Sequence, residues 1–143
     1  MGQSVFTYGT LQIPAVMEAV TGQIFISVSA ILHDHARFAI KRQVYPGIVP
    51  QAGSFVNGCL YFDVDDAALH CLDIFEDVLY ERKPIQVACD NGMITTQVYV
   101  VCAKYRNLVD TKPWNLEDFT RRHLADYLKS CRRLSAGFAR ARP

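Results

Sequence analysis

The dipeptide Asn91-Gly92 stands between two β-favouring stretches, Lys83 to Cys89 and Met93 to Tyr105. A two-residue turn of the right twist needs positive φ at its centre, which Asn and Gly tolerate best, so this pair predicts an antiparallel hairpin. Other short β runs supply neighbours for it. Val5-Phe6-Thr7-Tyr8 ends at Gly9, and Ile26, Val28, Ala30 and Leu32 alternate with Ser27, Ser29, Ile31 and His33. Arg37 to Ile40 is expected to pair back against that strand, and Gly58 to Val64 reads as a further one. Tyr45-Pro46-Gly47-Ile48-Val49-Pro50, with two prolines and a glycine, is expected to be an irregular loop.

Helices are marked by caps and by 3.6-residue spacing. Pro14 suits the first turn of a helix carrying Val16, Met17 and Val20 and stopped by Gly22. Asp65-Asp66 caps a helix from Ala67 to about Glu76. Asn115, with Asp118 three positions on, starts a long helix whose apolar stripe is Leu116, Phe119, Leu124, Tyr127, Leu128, Cys131 and Leu134. About six mostly antiparallel strands with helices make an α+β domain with a strongly bent or closed sheet.

At 143 residues the chain is expected to form one domain, 1–143, with a basic, flexible tail from about 135. Half its residues are hydrophobic and its net charge is +1, which places it among soluble globular proteins with no general attraction to nucleic acid or membrane. Arg121, Arg122, Lys129, Arg132, Arg133, Arg140 and Arg142 outnumber Asp126 near the end, which fits a solvated helix face; a polyanion contact is the other reading. Five cysteines, odd in number and never spaced Cys-x-x-Cys, write no zinc or disulfide framework, so a reducing, cytoplasmic location is expected. His33 and His35 share a strand side but lack a third ligand, so no metal is expected. No phosphate loop or dinucleotide fingerprint calls for a cofactor.

Two features carry chemistry. A strand delivering Gly9 into a turn at Tyr8-Gly9-Thr10-Leu11 exposes backbone N–H groups that can hold an anion or a developing oxyanion. Glu76 follows Leu69 and Leu72 at i, i+3 and i+7, which puts a carboxylate where a helix would bury an apolar group. Burial and the negative end of the helix dipole both raise a carboxylate pKa, making a useful base near neutrality. The opposing reading has Glu76 at a fraying helix end, facing water or paired with Arg82. Asp73, Asp77 and Glu81 are expected to be solvated, and His70 and His123 have no evident nucleophile to serve.

Tyr8-Gly9-Thr10-Leu11, the Tyr45-Pro46-Gly47-Ile48-Val49 segment, Leu72-Asp73-Ile74-Phe75-Glu76-Asp77-Val78 with Tyr80-Glu81-Arg82, and the late Trp114 helix together resemble the γ-glutamylcyclotransferase-like, or AIG2-like, family. The resemblance spans nearly the whole chain in order. It implies a small β-barrel with flanking helices, a cavity at its mouth and Glu76 as general base. It further implies a small γ-glutamyl substrate cyclised to 5-oxoproline with release of its amine, no cofactor, and a monomer or homodimer. Tyr8, Gly9, Thr10, Leu11 and Tyr80 are the residues expected around that substrate. One departure stands out: Asp77 occupies a position where the family often has glycine. A binding module that keeps the pocket without turnover is the alternative expectation, with the basic C-terminal region as its contact to a partner.

Overall fold

Five strands and four α-helices build the chain, seen in a computed structural model that describes residues 2–90 and 92–141, with side chains described as far as residue 134. The strands are β1 (Gln3–Thr7), β2 (Ser27–Ala39), β3 (Pro46–Val64), β4 (Tyr80–Cys89) and β5 (Gly92–Val101). They lie in the order β1-β3-β2-β4-β5 and close into a barrel where β1 meets β5 in parallel, Val5 opposite Gln97. Every other neighbouring pair is antiparallel. Closure depends on β3, whose 19 residues pair with β2 along most of their length and with β1 at the far end. The hairpin expected from the Asn-Gly pair is present as β4 and β5, in register from Tyr80 opposite Val101 to Cys89 opposite Gly92; Asn91 itself lies outside the described residues.

Successive residues in a strand face opposite sides of the sheet, and here both sides are buried. Phe6, Leu60 and Val98 belong to one apolar cluster with Leu32, Ile48 and Val87. Their neighbours Val5, Tyr61 and Tyr99 belong to another, shared with α1 (Pro14–Thr21), α2 (Asp66–Glu76) and Cys131 of the last helix. Each fully buried side chain of this kind contributes about 1.5–3 kcal/mol. The helices are therefore held on the sheet by the face the barrel interior does not use.

Several local expectations give way to longer pairing. The strands expected at 26–32 and 37–40 are one, β2, and both parts pair with β3 instead of with each other. At a register shift between His33 and His35, Asp34, at φ 59°, stands alone on β2 against Gln51 to Ser54 of β3, so the extra residues lie on β3. This merger makes five strands where about six were expected. The proline-rich stretch at 45–50 is not a loop: Pro46 opens β3 and Pro50 sits opposite His35 at the shift, places where a missing N–H is tolerated. The last strand stops at Val101 and gives way to a 3₁₀ stretch, Ala103–Leu108. The C-terminal helix breaks at His123 into α3 (Leu116–Arg122) and α4 (Leu124–Ala141). The backbone of α4 runs on past residue 135, where a tail was expected; the side chains there lie outside the described residues.

Candidate active site

β1 ends one residue before Tyr8, and the chain then makes a single 3₁₀ turn, Thr10–Gln12, before Pro14 starts α1. Gly9 lies against the ring of Pro46, and a Cβ on it would sit 2.8 Å from Pro46 Cγ. Two sequence segments 37 positions apart are thus in direct contact, and only a glycine fits between them. Gly47 is equally confined: a Cβ there would run into Val101 Cγ2.

Hydrogen bonds fix the surroundings of this contact. The Tyr8 hydroxyl donates to the Tyr99 carbonyl at 2.6 Å and the Tyr80 hydroxyl to the Pro46 carbonyl at 2.5 Å. Arg37 Nη1 donates to the Tyr8 carbonyl at 2.8 Å while its guanidinium lies 5.5 Å from the centre of the Trp114 ring. Trp114 Nε1 in turn donates to the Val44 carbonyl at 2.7 Å. The tryptophan thereby anchors both segments at once. Tyr61 donates to the Leu11 carbonyl at 2.8 Å, and Thr10 Oγ1 donates to the Tyr127 hydroxyl at 3.1 Å.

α2 approaches from the other side. Asp65 caps it by accepting from the Ala68 N–H at 2.8 Å, and Leu69 and Leu72 are buried as their spacing predicts. Glu76, the last residue of α2, is half-buried and lines a cavity of about 330 Å³ together with Tyr8, Gly9, Thr10, Leu11 and Tyr80. Among the described residues nothing hydrogen-bonds its carboxylate. Burial first, and then the negative charge of Asp73, push its pKa from 4.5 up to about 8.

Arg82 is not the partner of Glu76. It grips Asp73 with two bonds, Nε to Oδ1 at 2.9 Å and Nη2 to Oδ2 at 3.2 Å, and the Tyr99 hydroxyl adds a third at 2.7 Å. Although desolvation pulls the other way, these bonds hold the Asp73 carboxyl below its usual value. Asp73, expected to be solvated, is exposed as expected, but Arg82 and Tyr99 also hold it in place as a negative charge that acts on Glu76. Glu81 is exposed and pairs with Lys83 at 2.7 Å.

Asp77 is exposed, lines the cavity and takes φ 58°, ψ −154°, a backbone region nearly confined to glycine. The glycine expected at this position from the resemblance has a conformational reason. Among the lining residues that sequence reasoning did not single out for the cavity are three tyrosines, Tyr45, Tyr99 and Tyr127. Among the described residues the Tyr45 hydroxyl, unlike those of Tyr8 and Tyr80, bonds no protein group. Burial and then Glu76 raise its pKa, so at neutral pH it keeps its proton as a donor. Tyr127 could have been suspected from its place on the apolar stripe of α4, three positions before Ser130 and four before Cys131, both of which also line the cavity. Glu76 and Asp77 are the charged residues among the described lining.

His33 and His35 lie away from this cavity, and His35 Nδ1 sits 2.9 Å from the His33 carbonyl. Among the described residues no group of three or more His, Cys, Asp or Glu side chains is placed to hold a metal ion. No described helix is long and apolar enough to cross a membrane.

Known proteins resemble this chain in sequence and in fold. The family model described as "Gamma-glutamyl cyclotransferase, AIG2-like" matches residues 5–116. AIG2-like protein D of Arabidopsis thaliana is 37% identical over 130 residues, spanning 88% of this chain and 84% of that protein. A second Arabidopsis thaliana protein, solved in solution, superposes with a TM-score of 0.70 at 27% identity, covering 99% of this chain and 86% of its own. A solved γ-glutamyl cyclotransferase superposes with a TM-score of 0.64 over 90% of this chain and 85% of its own; at 17% identity that likeness is one of fold.

Proposed function

The chain belongs to the γ-glutamyl cyclotransferase, AIG2-like family, and from that premise we propose that it cyclises the γ-glutamyl group of a γ-glutamyl amine or peptide to 5-oxoproline, releasing the amine. The observation that carries the reading is the unpartnered, half-buried Glu76 carboxylate beside the Tyr8-to-Leu11 turn in one cavity.

The reaction needs no nucleophile from the protein. The α-amine of the substrate attacks its own γ-carbonyl carbon, and the protein's task is to fold the substrate so that these atoms meet and to move protons. Bound as an ammonium with a reference pKa near 8, the α-amine first gives a proton to the Glu76 carboxylate. Burial raises the Glu76 pKa from 4.5 to about 8, which makes its carboxylate a stronger base towards the ammonium than a solvated one. Attack closes a five-membered ring and leaves an oxyanion on the former carbonyl. The first amides of a helical turn have no intrahelical acceptor, and those of Thr10 and Leu11, with that of Gly9, are suited to receive the oxyanion or the substrate carboxylate. As the C–N bond breaks, protonated Glu76 gives its proton to the leaving nitrogen; the carboxylate so regenerated takes the second proton from the ring nitrogen and passes it to the released amine, which departs as an ammonium and leaves Glu76 ionised. Among the described cavity tyrosines, Tyr45 and Tyr127 have hydroxyl protons free to donate to the substrate, because those of Tyr8 and Tyr80 are committed to backbone carbonyls and that of Tyr99 to Asp73.

The test is direct: purified protein is incubated with γ-glutamyl amides, γ-glutamyl amino acids, γ-glutamyl-ε-lysine and glutathione, and 5-oxoproline is measured. Release from at least one of them supports the proposal. Release from none, at protein concentrations where the fold is intact, refutes it.

A further inference from the structure

The cavity volume of about 330 Å³ is at the small end of the roughly 300–1,000 Å³ usual for small-molecule pockets. A γ-glutamyl group held beside half-buried Glu76 would take up much of this volume, leaving the more exposed part of the lining for what the leaving amine carries. Two apolar side chains stand there far more exposed than packing explains: Val78, just after α2, is 64% exposed, and Leu134 on α4 is 52% exposed. They come from different elements and line the same cavity. Partly buried Phe75 and Leu79 continue the apolar surface inward. No Lys, Arg or His is among the described lining residues, so nothing there matches a carboxylate on the leaving group. Asp77 also lines the cavity, but it is exposed and its charge is screened by water, so an ammonium at the rim gains less from it than it loses in apolar contact.

We propose that Val78 and Leu134 form a subsite for an apolar group carried by the leaving amine, so that this protein selects γ-glutamyl amides with alkyl or aryl-alkyl tails. The inference rests on the cyclotransferase reading for its chemistry, but the subsite can be read separately from turnover. Burying a methylene fully is worth about fourfold in affinity, and at a half-exposed rim about twofold. Lengthening the tail from methyl to butyl therefore raises kcat/KM roughly tenfold.

The experiment uses γ-glutamyl methylamide, butylamide and hexylamide, with a 5-aminopentyl amide as the cationic isostere of hexyl. Both kcat/KM and, by calorimetry with Glu76→Gln protein, Kd are followed along the series. The expected result is a rise with chain length in both, flattened by Val78→Ser and by Leu134→Ser but not by Ile26→Ser, an exposed residue away from the cavity. The aminopentyl compound is expected to fall below hexyl. Binding that rises with chain length without any turnover would leave the subsite standing and remove the catalytic reading. Turnover with no dependence on chain length, a preference for the cationic tail, or neither binding nor turnover along the series would overturn the subsite.

Discussion

Gly9 touches Pro46, and the contact leaves no room for a methyl group between them. It joins the turn that faces Glu76 to the start of β3, so the position of the proposed oxyanion donors is set by a proline in a distant segment. Gly9→Ala would place Cβ 2.8 and 2.9 Å from the Pro46 ring atoms. Overpacking of this kind costs about 1–3 kcal/mol. Denaturant unfolding is expected to show that loss, with a fall in kcat/KM beyond it because the turn must move.

The Asp73 charge is a lever on Glu76. Asp73→Asn removes a negative charge that raises the Glu76 pKa and frees Arg82, a cation, from its partner. Both changes favour ionised Glu76, so the rising limb of the pH–rate profile, near pH 8 in the parent protein, moves to lower pH. A pH series of kcat/KM on both proteins checks the direction; a limb that stays or moves up contradicts it.

Asp77 holds a conformation that glycine adopts without strain. Its side chain is exposed, and its N–H bond to the Asp73 carbonyl would survive substitution. Asp77→Gly is expected to stabilise the protein by about 1 kcal/mol despite the added freedom of the unfolded chain. Thermal or denaturant unfolding reads this directly, and a loss of stability would mean that the carboxylate makes a contribution its exposure hides.

Stability should also depend on pH through Glu76. Between 4.5 and about 8 the folded protein binds a proton at this carboxylate that the unfolded chain has released. Stability therefore falls as pH rises through that window. Glu76→Gln removes this dependence. The variant should gain on the parent protein by about 2 kcal/mol between pH 5 and pH 8.5, a figure reduced for the partial exposure of the carboxylate. Parallel stability curves across that range would contradict the burial argument.

How much of this could be read from the chain varies with the range of the forces involved. Local signals were reliable: Pro14 and Gly22 bound α1, with Gly22 at φ 76°, Asp65 caps α2, and the Leu69/Leu72/Glu76 spacing put the acid on the buried face. Long-range pairing was not legible. Pro46 and Pro50 argue locally for a loop, yet the β2 partner accommodates them as strand residues at its end and at its register shift. The same shift hid the continuity of β2, because the residues that carry the pairing through it, Gln51 to Ser54, lie on β3 and leave no local mark in β2. In the site, Glu76 and the Tyr8-to-Leu11 turn were visible, whereas the Arg82–Asp73 pair and the free hydroxyl of Tyr45 arise from contacts between separate elements. Tyr8 and Tyr80 line the cavity, but their hydroxyl protons are held by backbone carbonyls, which no sequence pattern announces.

The central claim is that Glu76 moves the proton. Its most direct test is kcat of Glu76→Gln against the parent protein at pH 8.5 on the best γ-glutamyl substrate, with ligand binding checked by calorimetry. The account predicts a fall of about two to four orders of magnitude with binding retained. A fall of less than about tenfold, with the pH limb near 8 still present, would show that the proton goes elsewhere.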